Sequence, residues 1–225
     1  MICHFLSFYL SVIVAILYGV ITKVNKKENK MMYIILIITA YLLGSIPFGL
    51  ILTKMAGKGD IRKIGSGATG GTNVMRAAGA KLALLTIVLD AAKAMLAVWI
   101  GVMMIGTGFG AIMGAVAIMG HIYPVWLKFQ GGKGVASMMG VVLVINPIIF
   151  FAAAIQWLAL AIGIGYSSLA SLIVLIMLPI YGFVVSPLVG TAFIAISGMA
   201  LWAHRTNIKR LLNGQEDKIK WKWKK

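Results

Sequence analysis

The sequence predicts an all-α integral membrane protein: a seven-span helical bundle with cytoplasmic re-entrant or Gly-rich loops, plus an extra N-terminal apolar segment. Three observations predict it. Hydrophobic residues make up 61% of the 225 and charged residues 12%, whereas a soluble domain is about 45–50% apolar and about 25% charged. The apolar residues gather into runs near the ~20 residues that a spanning helix needs. The net charge of +16, from 21 Lys+Arg against 5 Asp+Glu, is confined to the segments between those runs.

In chain order the apolar runs are 5–21, 32–53, 82–107, 109–127, 138–145, 147–163, 167–185 and 186–203. The stretch 134–203 is almost continuously apolar. Turn residues divide it at Asn146-Pro147, at Gly163–Ser167 and at Ser186-Pro187. Two segments follow from this reading. Residues 1–30 form an N-terminal extension, an apolar segment with a Lys-rich linker, and residues 31–225 form one polytopic membrane domain.

Charge placement orients the spans. Lys54, Lys58, Arg62, Lys63, Arg76 and Lys81 lie in a first polar loop, and Lys128 and Lys133 in a second. Arg205, Lys209, Arg210 and the lysines from 218 to 225 lie in a tail. The positive-inside rule puts all three segments in the cytoplasm. An even number of spans then separates the second loop from the tail; four gives seven spans from residue 32 onward and two gives five, and seven is the expectation. The extension conflicts with this scheme, because Lys23, Lys26, Lys27 and Lys30 would carry the next span the wrong way. Two readings relieve the conflict: a true start at Met31 or Met32, or an extension that does not span as a normal helix. No small-residue cleavage site follows residue 21, which argues against a signal peptide.

The first loop carries Gly65, Ser66, Gly67, Thr69, Gly70, Gly71, Thr72, Asn73 and Arg76. Glycine lets the backbone turn its N–H groups toward an anion. The Ser, Thr and Asn side chains add neutral donors, and Arg76 adds a planar fork suited to phosphate oxygens. A helix starting near Val74, capped by Thr72 or Asn73, would aim its positive end at the same anion. The competing reading is a solvated, flexible loop.

The second segment runs from Gly120-His121 through Tyr123-Pro124 to Gly131-Gly132-Lys133-Gly134. It is not a Walker loop, since Leu127 and Gly134 stand where that pattern needs Gly and Ser or Thr. A Lys among glycines before an apolar helix suits a phosphate or acyl-phosphate cradle, or else a Lys snorkelling at the interface. In the tail, His204, Asn207 and Leu211 share one helical face, so His204 and Asn207 can address one substrate; taken alone, the segment reads rather as an ordinary basic cap on the last span.

Asp90 and Lys93 stand at i,i+3 inside an apolar run and are read as a buried structural pair. Cys3 is the single cysteine, and no carboxylate cluster at ligand spacing exists, so no metal site and no cofactor are expected. A nucleic-acid binder is excluded by charges that sit between apolar runs and not on a soluble face.

Together these motifs resemble the acyl-phosphate glycerol-3-phosphate acyltransferases, the PlsY family. The resemblance is carried by Tyr41–Gly49, by Gly65-Ser66-Gly67 with Thr72–Arg76, by Gly120–Pro124, by Gly131–Ala136 and by His204–Glu216, and it covers about residues 32–219. It implies a seven-span fold in the bacterial inner membrane, with a metal-free site facing the cytoplasm. It implies acyl phosphate as donor, glycerol 3-phosphate as acceptor, the bilayer as setting and no obligate protein partner. Carried onto this chain, it makes Ser66, Arg76, Lys133 and Asn207 phosphate ligands, with Gly67, Thr72 and Asn73 in the same site. Gly131, Gly132 and Gly134 would form the acyl-phosphate pocket. His204 and Asn207 would act in catalysis together with Lys133 and Ser66, and Glu216 would be structural. Two departures stand out: the family usually has Asn where Ala68 stands and Ala where Gly71 stands.

The residue inventory agrees with that chemistry. An acyl phosphate is an activated mixed anhydride and needs no enzyme nucleophile. Cations and loop N–H groups would hold the two anionic reactants in line. The proton acceptor is His204 or a substrate phosphate oxygen. The rival from another class is a transporter of a phosphorylated metabolite; against it, the polar motifs fall on one side and only Asp90 and Lys93 offer charges within the spans.

Overall fold

The computed structural model describes residues 27–219. The apolar run expected at 5–21 and the lysines beyond 219 lie outside the described residues. Among the described residues every regular element is a helix.

The first predicted span is present as one apolar stretch, Lys30–Met55, with a break inside it. Helix α1 (Lys27–Gly44) stops before Ser45-Ile46-Pro47, and α2 (Phe48–Met55) resumes after it. Proline has no N–H and its ring collides with the carbonyl four residues back, so the helix cannot run through. The expectation of one run at 32–53 agrees with that single stretch, but it does not anticipate the break at Pro47. α1 also starts at Lys27, on the N-terminal side of the expected boundary at residue 31.

Short α3 (Gly71–Ala78) leads through Gly79, at φ +87°, into the long α4 (Ala80–Met104). Gly106, at φ +125°, separates α4 from α5 (Thr107–Ile122). Then come α6 (Val135–Ile145), α7 (Pro147–Ile164), α8 (Ser167–Val185), α9 (Pro187–Ala203) and the short polar α10 (Arg205–Leu212). The three expected breaks in 134–203 are all present, for identifiable reasons. Asn146 Oδ1 accepts from the N–H groups of Ile148 and Ile149, and Pro147 occupies the first helical position. Gly165, at φ +83°, ends α7 in the left-handed conformation. Ser186 Oγ accepts from Val189 N–H at 3.2 Å ahead of Pro187.

Among the described residues five helical stretches are long and apolar enough to cross a membrane, or six if α9 is counted with α10, which bends from it by 57°. α6 has 11 residues, about 16 Å of helix, and falls short of a ~30 Å hydrocarbon core by itself. All seven predicted runs are helical; seven full crossings would need α6 extended by the loop before it.

α5 is the hub and packs on α1, α4, α6 and α9. Glycines permit the close approaches, as is usual where lipid supplies no hydrophobic drive between helices. A Cβ on Gly44 would stand 1.9 Å from the Ala117 carbonyl oxygen, and one on Gly140 would stand 2.4 Å from that of Ala91. The main core runs along α5 through Ile112, Met113, Val116 and Ile118 to Phe193 and Ile196 on α9. A second, smaller core of Leu50, Ile61, Val74 and Ala83 lies under the first Gly-rich loop and moors it to α2, α3 and α4.

Candidate active site

The three polar segments meet at a cavity of about 590 Å³. Ser66, Thr72 and Arg76 reach it from the first loop, Lys133 and Gly134 from the second, and His204 and Asn207 from the tail. Glu216, Asp90 and His121 also border it. Away from these groups the lining is largely apolar, the exceptions including Ser167, Ser168 and Ser171 on α8. It follows α4 from Ile87 to Met95 and α6 from Val135 to Leu143, each about 12 Å of helix. Phe150 and Trp157 on α7 complete the wall. The cavity thus joins a cationic mouth to an oily stem.

The first loop is held by Asn73. Its Oδ1 accepts from Ser66 N–H at 3.2 Å, and its Nδ2 donates to the Ile61 and Ala68 carbonyls, each at 2.9 Å. With its amide spent on the loop, Asn73 shapes the site where the sequence reading had it grip an anion. The helix also begins earlier than expected. Gly70 precedes α3 and no side chain caps it, so neither Thr72 nor Asn73 is the N-cap. The end of α3 still faces the cavity through Gly70, Gly71 and Thr72, and the first N–H groups of a helix lack intrahelical acceptors. Gly49 on α2 fixes the loop's height, since a Cβ there would stand 2.0 Å from the Thr69 carbonyl oxygen. Arg76 forms a 3.0 Å ion pair with Asp217, a partner the sequence gave no reason to choose.

In the second segment, Gly131 and Gly132 donate their N–H groups to the carbonyls of Ile122 and His121, at 3.0 Å each. They therefore cap α5 and are not free phosphate donors. Neither borders the cavity, and neither does Gly67. Their lack of a side chain matters for another reason: a Cβ on Gly131 would stand 2.1 Å from the His121 carbonyl, and one on Gly132 would stand 2.1 Å from His121 Nε2. Gly134, at φ +85°, turns the chain into α6.

Lys133 is the cation this turn presents. Its ammonium donates to Asn207 Oδ1, and burial, with Arg210 and Arg76 nearby, lowers its pKa to about 8. Asn207 Nδ2 in turn donates to Glu216 Oε1 at 2.7 Å, and Arg210 Nε donates to Glu216 Oε2 at 2.7 Å. Burial raises the Glu216 pKa, but the bonds from Asn207 and Arg210 outweigh it and hold the group below the ordinary carboxylate range. Glu216 thereby dictates which end of the Asn207 amide faces Lys133.

His204 sits at the joint between α9 and α10 and is buried. Its Nδ1 lies 2.7 Å from the Ala200 carbonyl. A carbonyl can only accept, so Nδ1 carries the hydrogen and Nε2 is left with a lone pair. Burial is the main reason its pKa falls to about 4, with Lys133 adding to the effect. Among the described residues no three of His, Cys, Asp and Glu stand close enough to share a metal ion.

The glycerol-3-phosphate acyltransferase family model matches residues 34–214. A glycerol-3-phosphate acyltransferase of Rhizobium etli is 46% identical over 183 residues, covering 81% of this chain and 89% of that one. One from Agrobacterium fabrum is 47% identical over 180 residues, covering 80% and 88%. Two crystal structures of PlsY, an integral membrane glycerol 3-phosphate acyltransferase, superpose on this chain. Its glycerol 3-phosphate form has a TM-score of 0.80 at 37% identity, covering 84% of this chain and 96% of that one. Its lysophosphatidic acid form has a TM-score of 0.77 at 35% identity.

Proposed function

Since the chain belongs to the glycerol-3-phosphate acyltransferase family, we propose that it draws its acyl group from acyl phosphate and places it on the 1-hydroxyl of sn-glycerol 3-phosphate at the cytoplasmic face of a bacterial inner membrane. The enzyme is an integral membrane acyltransferase of phospholipid synthesis. One observation carries the finer reading: a single cavity has a mouth bearing Arg76 and Lys133 and a stem of apolar side chains between α4, α6 and α7. A fatty acyl phosphate has that same division, with an anionic head and an apolar tail.

Both substrates bring phosphate to one place. Two unit charges 4 Å apart near a protein surface repel by about 4 kcal/mol. Arg76 and Lys133, with Ser66 and Thr72, offset that repulsion and hold the hydroxyl oxygen against the acyl carbon. The new C–O ester bond forms, the bond from the acyl carbon to the phosphate oxygen breaks, and inorganic phosphate leaves.

The hydroxyl proton has two candidate acceptors, and the weak basicity of His204 favours the other. Burial, with Lys133 adding to it, lowers the His204 pKa to about 4, so the imidazole is a poor proton carrier near neutral pH. His204 Nε2 therefore orients the hydroxyl by accepting its hydrogen bond, and a phosphate oxygen receives the proton.

Lys133 binds phosphate in its charged form, which is lost as pH rises through about 8. Because kcat/KM reports the free enzyme, it is expected to fall above pH ~8, and Lys133→Arg is expected to remove that limb of the profile. The reading as a whole is tested with purified enzyme in nanodiscs. Acyl phosphate and glycerol 3-phosphate should yield lysophosphatidate and phosphate in equal amounts. Turnover with acyl-CoA or acyl carrier protein and none with acyl phosphate would overturn the donor assignment.

A further inference from the structure

Beneath the turn that carries Lys133 lies a buried group the reaction does not use. Asp90, Lys93 and His121 are 2%, 5% and 6% exposed. Lys93 Nζ is 2.7 Å from Asp90 Oδ1, and His121 Nδ1 is 3.5 Å from the same oxygen. Lys93 also donates to the Ile46 carbonyl at 2.6 Å, in the break that Pro47 forces between α1 and α2. From α6, Ser137 Oγ donates to the Asp90 carbonyl at 3.0 Å.

These contacts converge on the Gly131–Lys133 turn. The turn hangs from α5 by two N–H bonds, one of them to His121's own carbonyl. Gly132 abuts the Nε2 edge of the His121 ring, so close that a Cβ would stand 2.1 Å from Nε2. The place of the imidazole therefore bears on the height of the residue next to Lys133, and the Asp90 carboxylate stands against that imidazole at 3.5 Å.

A buried ion pair is a weak stabiliser, because desolvation consumes most of the Coulomb gain and apolar replacements of both partners are often neutral. A pair kept for stability alone would also have no need to touch an imidazole under the active-site turn. We propose that Asp90, held by Lys93, is a positioning residue that acts through His121 to register the Lys133 ammonium over the cavity. The inference rests on the reading of Lys133 as a phosphate ligand.

The test is a double-mutant cycle with Lys133→Ala, in full-length enzyme reconstituted in nanodiscs, read by kcat and by melting temperature. Two variants probe the network independently. Asp90→Asn/Lys93→Met removes both charges together. His121→Ala removes the ring while leaving the ion pair intact, and it decides the matter if the first variant does not accumulate. A displacement of about 1 Å in a substrate-positioning group can lower turnover about 10²-fold. Each variant is therefore expected to lower kcat tenfold to a hundredfold with a melting temperature near that of the parent. In the Lys133→Ala background the same changes should lower it less than threefold further.

Losses that multiply in full, or that track the melting temperature, would overturn the inference and leave the site intact. Wild-type turnover in Lys133→Ala itself would overturn the reading of the site on which the inference stands.

Discussion

Lys133→Met is expected to lower kcat/KM about 10²–10³-fold while leaving the melting temperature unchanged or higher. The two effects part because the residue is placed at a cost to folding. Burial lowers the pKa of the Lys133 ammonium to about 8, which means that the folded protein disfavours its charge. Methionine keeps the unbranched stem and much of the volume and removes the buried charge. What it cannot replace is the donor that faces Asn207 Oδ1 and that, under the proposed function, neutralises phosphate at the cavity. The measurement is initial-rate kinetics beside a melting curve in the same lipid. A large loss of melting temperature with proportionate loss of activity would show Lys133 to be a structural residue.

Gly49→Ala is expected to lower turnover about 10²-fold, although Gly49 does not border the cavity. The added methyl would stand 2.0 Å from the Thr69 carbonyl oxygen, and that atom belongs to backbone that cannot rotate aside. Asn73 ties Ser66, Ala68 and Ile61 together, so the loop must shift as a unit and carry Ser66 with it. Overpacking of this kind also destabilises by about 1–3 kcal/mol, so a lower melting temperature accompanies the loss. Gly163→Ala is the control, because no atom lies within 4 Å of the Cβ it would add. Turnover in Gly49→Ala equal to that of the control would mean that the loop does not take its position from α2.

Most of the fold is legible because a bilayer imposes a simple code. Apolar runs became helices, and Asn146, Gly165 and Ser186 ended or began them by capping chemistry that a sequence displays openly. The break at Pro47 was missed because hydropathy is blind to it, although proline was the available signal. The polar residues Arg76, Lys133, His204 and Asn207, which border the cavity, were legible for the same reason as the helices: polar groups between apolar runs are few. The apolar wall of the cavity was not. Val88, Met95, Met139, Leu143 and Phe150 line the cavity, yet in sequence they look the same as residues that face lipid.

The glycines were found for an incomplete reason. Read as anion cradles, Gly131 and Gly132 turn out to cap α5 and to admit the His121 ring. That role depends on a neighbour nine or more residues away and leaves no local trace. Asp217 escaped notice because its pairing with Arg76 is set by how the tail folds back over the cavity. Asp90 and Lys93 were visible as a pair, but their reach to His121 and Ile46 was not, since no periodicity links α4 to those positions.

The central claim is that three distant stretches of chain jointly hold the anionic reactants. A structure of this protein with glycerol 3-phosphate bound tests it most directly. The phosphate is expected within hydrogen-bonding distance of Arg76 or Ser66 from the first loop and of Lys133 or Asn207 from the other two. A phosphate held by one segment alone, or lodged outside the cavity, would contradict the account.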